Sequence, residues 1–217
     1  IPYRKLPIVS VKGGIICDEP GLGKTLQMLN LVFSGLESSN GIIKTYILVP
    51  NEMIRQHWFN EIQKHFNIDN IMGIVQDYIH IATFEEFNTL NKTEIEAQIN
   101  GVYQRLIIDE IHEMYNSGSN FYNAFRNILE FSKMKYYWGI TGTPFVDSTS
   151  FYNIMRYILG RYDIYNNEIG NYIWIQDVFR NFIHRHSKEN VMDELRSEEH
   201  TSELQSRQYL VCRLLLE

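Results

Sequence analysis

Cysteine is scarce. Cys17 and Cys212 are the only two in 217 residues, which excludes a disulfide framework and a thiolate zinc site. No charge of one sign dominates: 20 basic residues face 26 acidic ones, for a formal net charge of −6. No global basic field announces nucleic acid, so any such binding has to use a local patch. Long apolar runs, a secretory leader and a transit peptide are all missing, and no internal repeat or low-complexity tract appears. The expectation is a soluble intracellular protein without membrane partners. What is present is a 44% hydrophobic composition, enough for a real core in one large domain or one lobe of a two-lobed enzyme. The chain begins without Met at Ile1, a dozen residues before its most informative stretch, and missing upstream sequence is expected.

That stretch is residues 13–25, GGIICDEPGLGKT. Gly14, Ile15, Ile16 and Cys17 read as a buried strand. Gly21 and Gly23 let the backbone turn so that several N–H groups converge on one anion. Lys24 supplies a cation for β- and γ-phosphates and Thr25 a hydroxyl for Mg²⁺, while the helix that follows adds its positive dipole end. The generic pattern G-x-x-x-x-G-K-[ST] is broken at its first position, where Asp18 stands in place of Gly. Alone, the stretch is also consistent with a Gly-rich turn followed by a chance Lys-Thr.

The remaining chain alternates strands with helices. An apolar helical face follows the loop, ending near Gly35 or in the Ser-Ser-Asn-Gly loop at 38–41, and TYILV at 45–49 is a second buried strand closed by Pro50. Residues 52–66 place Met53, Ile54, Trp58, Ile62 and Phe66 at helical spacing. Short strands are predicted at 71–75 and 79–82, and helices at 84–90, 94–99, 121–131, 151–159 and 173–183. RLIIDEIH at 105–112 is an apolar run ending in two carboxylates. A parallel strand of this kind delivers them to its carboxyl end, where ligands sit. Asp109 can hold Mg²⁺ directly or through water, and Glu110 can orient and activate an attacking water. The alternative is a strand leading into a solvated helix start, which carboxylates favour. The strand at 136–140 closes with Thr141-Gly142-Thr143-Pro144, two hydroxyls placed to couple a nucleotide to the rest of the site, or a plain turn. The pattern is a doubly wound α/β domain with a mostly parallel sheet flanked by helices.

Residues 196–206, RSEEHTSELQS, match in frame the translation of a common sequencing adapter. After a gap of index length the match resumes as LVCRLLLE at 210–217. Residues 196–217 are therefore expected to be adapter-derived and are set aside. The expected organisation is a lead-in segment at 1–12, an ATP-binding lobe at 13–195 and this tail.

The motif set resembles the first RecA-like lobe of superfamily-two helicases, and within them the Swi/Snf family of DNA translocases. DEPGLGKT is similar to that family's DEMGLGKT, acidic pair included, with Pro20 for Met. Leu48-Val49-Pro50 with Gln56, Trp58 and Glu61 resembles VP-x-x-L-x-x-x-W-x-x-E. Ile81-Ala82-Thr83-Phe84 resembles I-x-T-Y, and TGTP matches outright. DEIH stands where the family has DEAH or DEGH. Residues 182–191 resemble F-x-x-R-R-T-K-x-x-V, with Arg185 and Lys188 matching, His186 in place of Arg and Ser187 in place of Thr.

The resemblance implies a DNA-dependent ATPase or translocase. ATP would be held by Asp18, Glu19, Gly21, Leu22, Gly23, Lys24 and Thr25, and Mg²⁺ by Thr25 and Asp109. Lys24, Asp109 and Glu110 would be catalytic. Thr141, Gly142, Thr143 and His112 would couple hydrolysis to lobe motion. Duplex DNA would be gripped by its backbone, with Pro50, Arg55 and Thr83 as candidate contacts. Further partners would be a second RecA-like lobe carrying a catalytic arginine, and chromatin or transcription machinery, in a nucleus or a viral replication compartment. A single lobe without that arginine is expected to be weak or inactive. Two alternatives stand beside this reading. One is another superfamily-two motor: an unwinding RNA or DNA helicase, or a restriction-type or viral transcription-associated translocase. The other is an ATP-gated binding module that does not hydrolyse.

Overall fold

The computed structural model describes residues 11–36, 43–66, 77–116, 118–143, 148–160 and 181–191. The lead-in up to residue 10, the strand predicted at 71–75, most of the helix predicted at 173–183 and the tail at 196–217 lie outside the described residues.

Among the described residues, six strands form one sheet: β1 (Gly13–Ile16), β2 (Thr45–Val49), β3 (Ile79–Thr83), β4 (Arg105–Ile108), β5 (Tyr136–Ile140) and β6 (Ile183–His184). Their order is β3-β2-β4-β5-β1-β6, and every pairing is parallel. Parallel neighbours need crossovers, which the helices supply. These are α1 (Lys24–Leu36), α2 (Glu52–His65), α3 (Phe84–Asn88), α4 (Lys92–Glu94), which widens into a π-helical turn at Ile95–Asn100, α5 (His112–Tyr115), α6 (Tyr122–Phe131) and α7 (Ser148–Leu159).

The two-residue period of the strands divides the core into two halves. Ile15, Tyr46, Leu48, Leu106 and Ile108 point to one face and pack with α6 and α7 through Phe125, Ile128, Tyr157 and Ile158. Ile16, Ile47, Val49, Ile107 and Ile140 point to the other, against Met28, Leu29 and Val32 of α1 and Trp58 and Ile62 of α2. Both faces are covered, so β2 and β4 are buried at every position, as their unbroken apolar runs require.

Local chemistry starts the helices near the predicted places. The Asn51 side chain accepts the Ile54 N–H at 3.1 Å and caps α2. Thr83 and Glu86 form a reciprocal capping box that opens α3, satisfying N–H groups that the first turn leaves unpaired. One prediction fails: the helix drawn through residue 183 gives way there to β6. Ile183 and His184 pair with Ile15 and Ile16, covering the edge of β1 that β5 leaves open. Backbone groups at a buried sheet edge need partners, and that demand outweighs helical periodicity.

Candidate nucleotide site

The strand order places the chemistry. Because β5 lies between β4 and β1, the loop after β1, the Asp-Glu pair after β4 and the Thr-Gly-Thr turn after β5 share one carboxyl edge. Cross-links stitch these ends together: Thr141 N–H donates to the Ile16 carbonyl at 3.0 Å, and Ile111 N–H to the Ile140 carbonyl at 3.0 Å.

In the loop, Gly21 and Gly23 have φ of 89° and 76°, the left-handed region that side chains disfavour. Leu22 and Thr25 are half-buried around them. Helix α1 starts with Gln27 N–H donating to the Gly23 carbonyl at 3.0 Å. Lys24 Nζ donates to the Asp18 carbonyl at 2.7 Å. The side chains of Asp18 and Glu19 turn elsewhere. Asp18 Oδ2 accepts Gln27 Nε2 at 3.0 Å, and Oδ1 accepts the His186 N–H at 2.8 Å with His186 Nδ1 at 2.9 Å. Glu19 Oε2 accepts the Lys188 N–H at 3.1 Å. Both were expected among the ATP ligands, yet both carboxylates face the segment after β6. Cys17 is buried, and burial beside Asp18 pushes its thiol up to about 12, so it is no nucleophile.

Asp109 is 7% exposed. Its Oδ2 accepts the indole N–H of Trp58 at 2.8 Å, and its Oδ1 accepts the Glu110 N–H at 2.9 Å. Burial raises the Asp109 carboxyl above the usual carboxylate range, opposed by the Trp58 bond and, more weakly, by the Lys24 charge. A buried carboxylate with spare lone pairs facing a phosphate-type loop fits Mg²⁺, a hard cation that takes oxygen ligands. The hydroxyl of Thr25 offers a second oxygen on α1.

Glu110 has φ of 45° and is the one non-glycine residue with positive φ among the described residues. That geometry carries strain of roughly 1–2 kcal/mol, and such strain gathers at functional sites. A hydrogen bond from His112 holds the Glu110 carboxyl below its ordinary value, helped by the charge of Lys24 and the Gly142 backbone amide. Glu110 in turn raises His112. His112 Nδ1 lies 3.3 Å from Glu110 Oε2 and 2.9 Å from Thr141 Oγ1. Thr141, fully buried, also accepts the Thr143 N–H at 3.0 Å. Glu110, His112, Thr141, Gly142 and Thr143 thus form one connected polar cluster. The departure at Ile111 has a packing reason: Ile111 is fully buried over Gly139, where an added Cβ would meet Ile15 Cδ1 at 2.6 Å and Ile111 Cδ1 at 3.1 Å. The large residue after Glu110 fits because β5 carries no side chain beneath it.

Pro50 and Thr83 follow β2 and end β3 on the same edge, nearer its far end. Two of the three candidate DNA contacts have their side chains committed. Arg55 pairs with both oxygens of Glu86, at 2.9 and 2.8 Å, and with Glu52. Thr83 is 8% exposed and its hydroxyl caps α3. The physical reason is local: a guanidinium between two carboxylates and a hydroxyl at a helix start are both satisfied within the lobe. From sequence, Trp58 had a place on an apolar helical face and in a motif, and its bond to Asp109 was not foreseen. The available signal was general: a buried indole N–H needs an acceptor.

A six-stranded parallel sheet with a Gly-Lys-Thr loop after β1 and an Asp-Glu pair after β4 defines a RecA-like α/β lobe of the helicase type. Residues 5–206 match the SNF2-related domain, and the chain belongs to that family. It is similar to the DNA repair and recombination protein RAD54-like of Gallus gallus, 27% identical over 186 residues, covering 73% of this chain and 24% of that protein. It is also similar to the uncharacterized ATP-dependent helicase YqhH of Bacillus subtilis (strain 168), 29% identical over 133 residues, with 60% of this chain and 23% of the relative covered. Among solved structures, the Sulfolobus solfataricus SWI2/SNF2 ATPase core in complex with dsDNA superposes with a TM-score of 0.57 at 23% identity. That match covers 82% of this chain and 40% of the other, and it shows the shared fold. The chain spans about a quarter or less of the length of these curated relatives. No described helix is long and apolar enough to cross a membrane.

Proposed function

We propose that this lobe binds ATP with Mg²⁺ and that the whole protein hydrolyses it to move along duplex DNA. The observation that carries the reading is convergence at one sheet edge: Lys24 acts electrostatically on both Asp109 and Glu110, although 85 residues or so separate them in sequence. The loop N–H groups and Lys24 receive the phosphates. Asp109 and the Thr25 hydroxyl would hold Mg²⁺, which would supply positive charge to the phosphates. Glu110 is held ionised by His112, so it serves as an acceptor that aims the attacking water rather than as a strong base. His112 and Thr141 link Glu110 to the end of β5, a route by which the state of the site reaches the surrounding lobe. Family membership and the RAD54-like relative, a DNA repair and recombination protein, support duplex DNA as the track. With Arg55 and Thr83 engaged internally, the backbone of the Pro50–Arg55 turn is the remaining candidate for phosphate contact.

Titration with a fluorescent ATP analogue tests the reading. The 217-residue chain saturates in the presence of Mg²⁺. Lys24→Ala weakens binding at least about tenfold, as expected for loss of a charged contact, and Glu110→Gln binds as the native chain does. In the whole protein, Glu110→Gln abolishes DNA-stimulated hydrolysis. An unsaturable native chain, or Lys24→Ala binding equally well, refutes the nucleotide site. DNA-stimulated turnover by the lobe alone at the rate of a two-lobed enzyme refutes its dependence on a second lobe.

A further inference from the structure

The acidic pair in the phosphate loop is unexplained by phosphate binding, since a carboxylate beside a triphosphate repels it. We propose that Asp18 and Glu19 are positioning residues that clasp residues 184–188 to the phosphate loop, so that nucleotide binding and the placement of this segment are one linked equilibrium. The linkage rests on the nucleotide reading above; the clasp itself does not.

The contacts form a continuous zip. Cys17 N–H donates to the His184 carbonyl at 2.6 Å, and Glu19 N–H to the His186 carbonyl at 3.1 Å. In return the segment donates to the two side chains, His186 N–H to Asp18 and Lys188 N–H to Glu19. The ladder of β6 on β1 therefore continues past the strand end, with carboxylates replacing carbonyls as acceptors. Asp18 is 2% exposed, and donors from His186 and Gln27 occupy both its oxygens. A carboxylate this buried and this fully bonded is a structural acceptor.

The same residue touches the catalytic side. The Asp18 carbonyl accepts Lys24 Nζ, and Lys24 is the cation that a triphosphate would recruit. Asp18 therefore contacts the phosphate-binding lysine through its backbone and the 184–188 segment through its side chain. Lys188 adds a second link: a Cβ placed on Gly21 would lie 3.9 Å from Lys188 Cε and Nζ, so the segment brings its own cation over the loop. Binding that alters either end alters the other by the same factor. This accounts for two features at once, the acid in place of the generic first Gly and its pairing with a segment 168 residues away.

Hydrogen–deuterium exchange on the 217-residue chain, with and without a non-hydrolysable ATP analogue and Mg²⁺, tests the proposal. In the nucleotide-free chain, Asp18→Asn speeds exchange across 184–191 by about tenfold or more, the size expected for loss of bonds to a charged acceptor. Glu19→Ala, at a more exposed position, speeds it at Lys188 and serves if Asp18→Asn does not fold. Bound analogue slows exchange at 184–191 in the native chain, and Asp18→Asn binds the analogue more weakly. Unchanged nucleotide-free exchange in both variants overturns the clasp. Analogue that binds without altering exchange at 184–191 overturns the linkage. A native chain that binds no nucleotide overturns the proposed function and the linkage together, while the nucleotide-free comparison still decides the clasp.

Discussion

Replacing Trp58 by Phe isolates one hydrogen bond beneath the site. The side chain of Trp58 is fully buried and its N–H reaches Asp109 Oδ2 at 2.8 Å, where Asp109 is itself 7% exposed. A bond to a charged acceptor contributes about 1.5–3 kcal/mol. The smaller ring leaves a partly filled cavity that adds about 1 kcal/mol. Together these give a loss of about 2.5–4 kcal/mol, a fall in Tm of roughly 5–16 °C for a chain of this size. Urea unfolding by linear extrapolation measures it, with the slope unchanged. The pH dependence carries a sign. Burial already raises the Asp109 carboxyl, and the Trp58 bond opposes that rise, so Trp58→Phe raises it further. A carboxyl raised in the folded state keeps its proton where the unfolded chain has lost one, so folding gains relative stability as pH falls through the folded value. The deficit of Trp58→Phe is therefore largest where Asp109 is ionised and shrinks as pH falls through its raised folded-state value. A deficit under about 1 kcal/mol, or one that stays constant through that fall in pH, refutes the assignment of the bond as a support for Asp109.

Two further outcomes follow from packing. Gly139→Ala pushes a methyl into Ile15 and Ile111 and lowers stability by about 1–3 kcal/mol. Combined with Ile111→Ala, the loss is smaller than the sum of the single losses by roughly 1 kcal/mol, and additive losses in thermal or urea unfolding refute the fit of Ile111 over Gly139. Arg105→Met changes stability by less than about 1 kcal/mol despite complete burial. Arg105 is 3% exposed with an unpaired Nε, donates to the Leu31 carbonyl and Thr45, and is pulled down to about 10 by burial. A loss of several kcal/mol in urea unfolding would show that the guanidinium is a keystone.

The lobe's strands, its loop and its carboxylates were legible because each is encoded locally. Apolar runs of four or five residues mark strands buried on both faces, Gly-x-Gly-Lys-Thr marks a turn into a helix, and Asp-Glu after RLII places carboxylates at a strand end. The grouping of these motifs at one edge followed from parallel connections alone. Three features needed the tertiary structure. Residue 183 belongs to a strand because β1 has an open edge to cover. Arg55 is spoken for by Glu86 as well as by Glu52, and Glu86 becomes its neighbour only once α2 and α3 lie side by side. Asp18 finds His186, and Asp109 finds Trp58, across 168 and 51 residues of chain. Periodicity and turn chemistry act over a few residues and can be read along the chain. The partner of a buried charge is chosen by packing, which leaves a carboxylate only those donors that the fold carries to it.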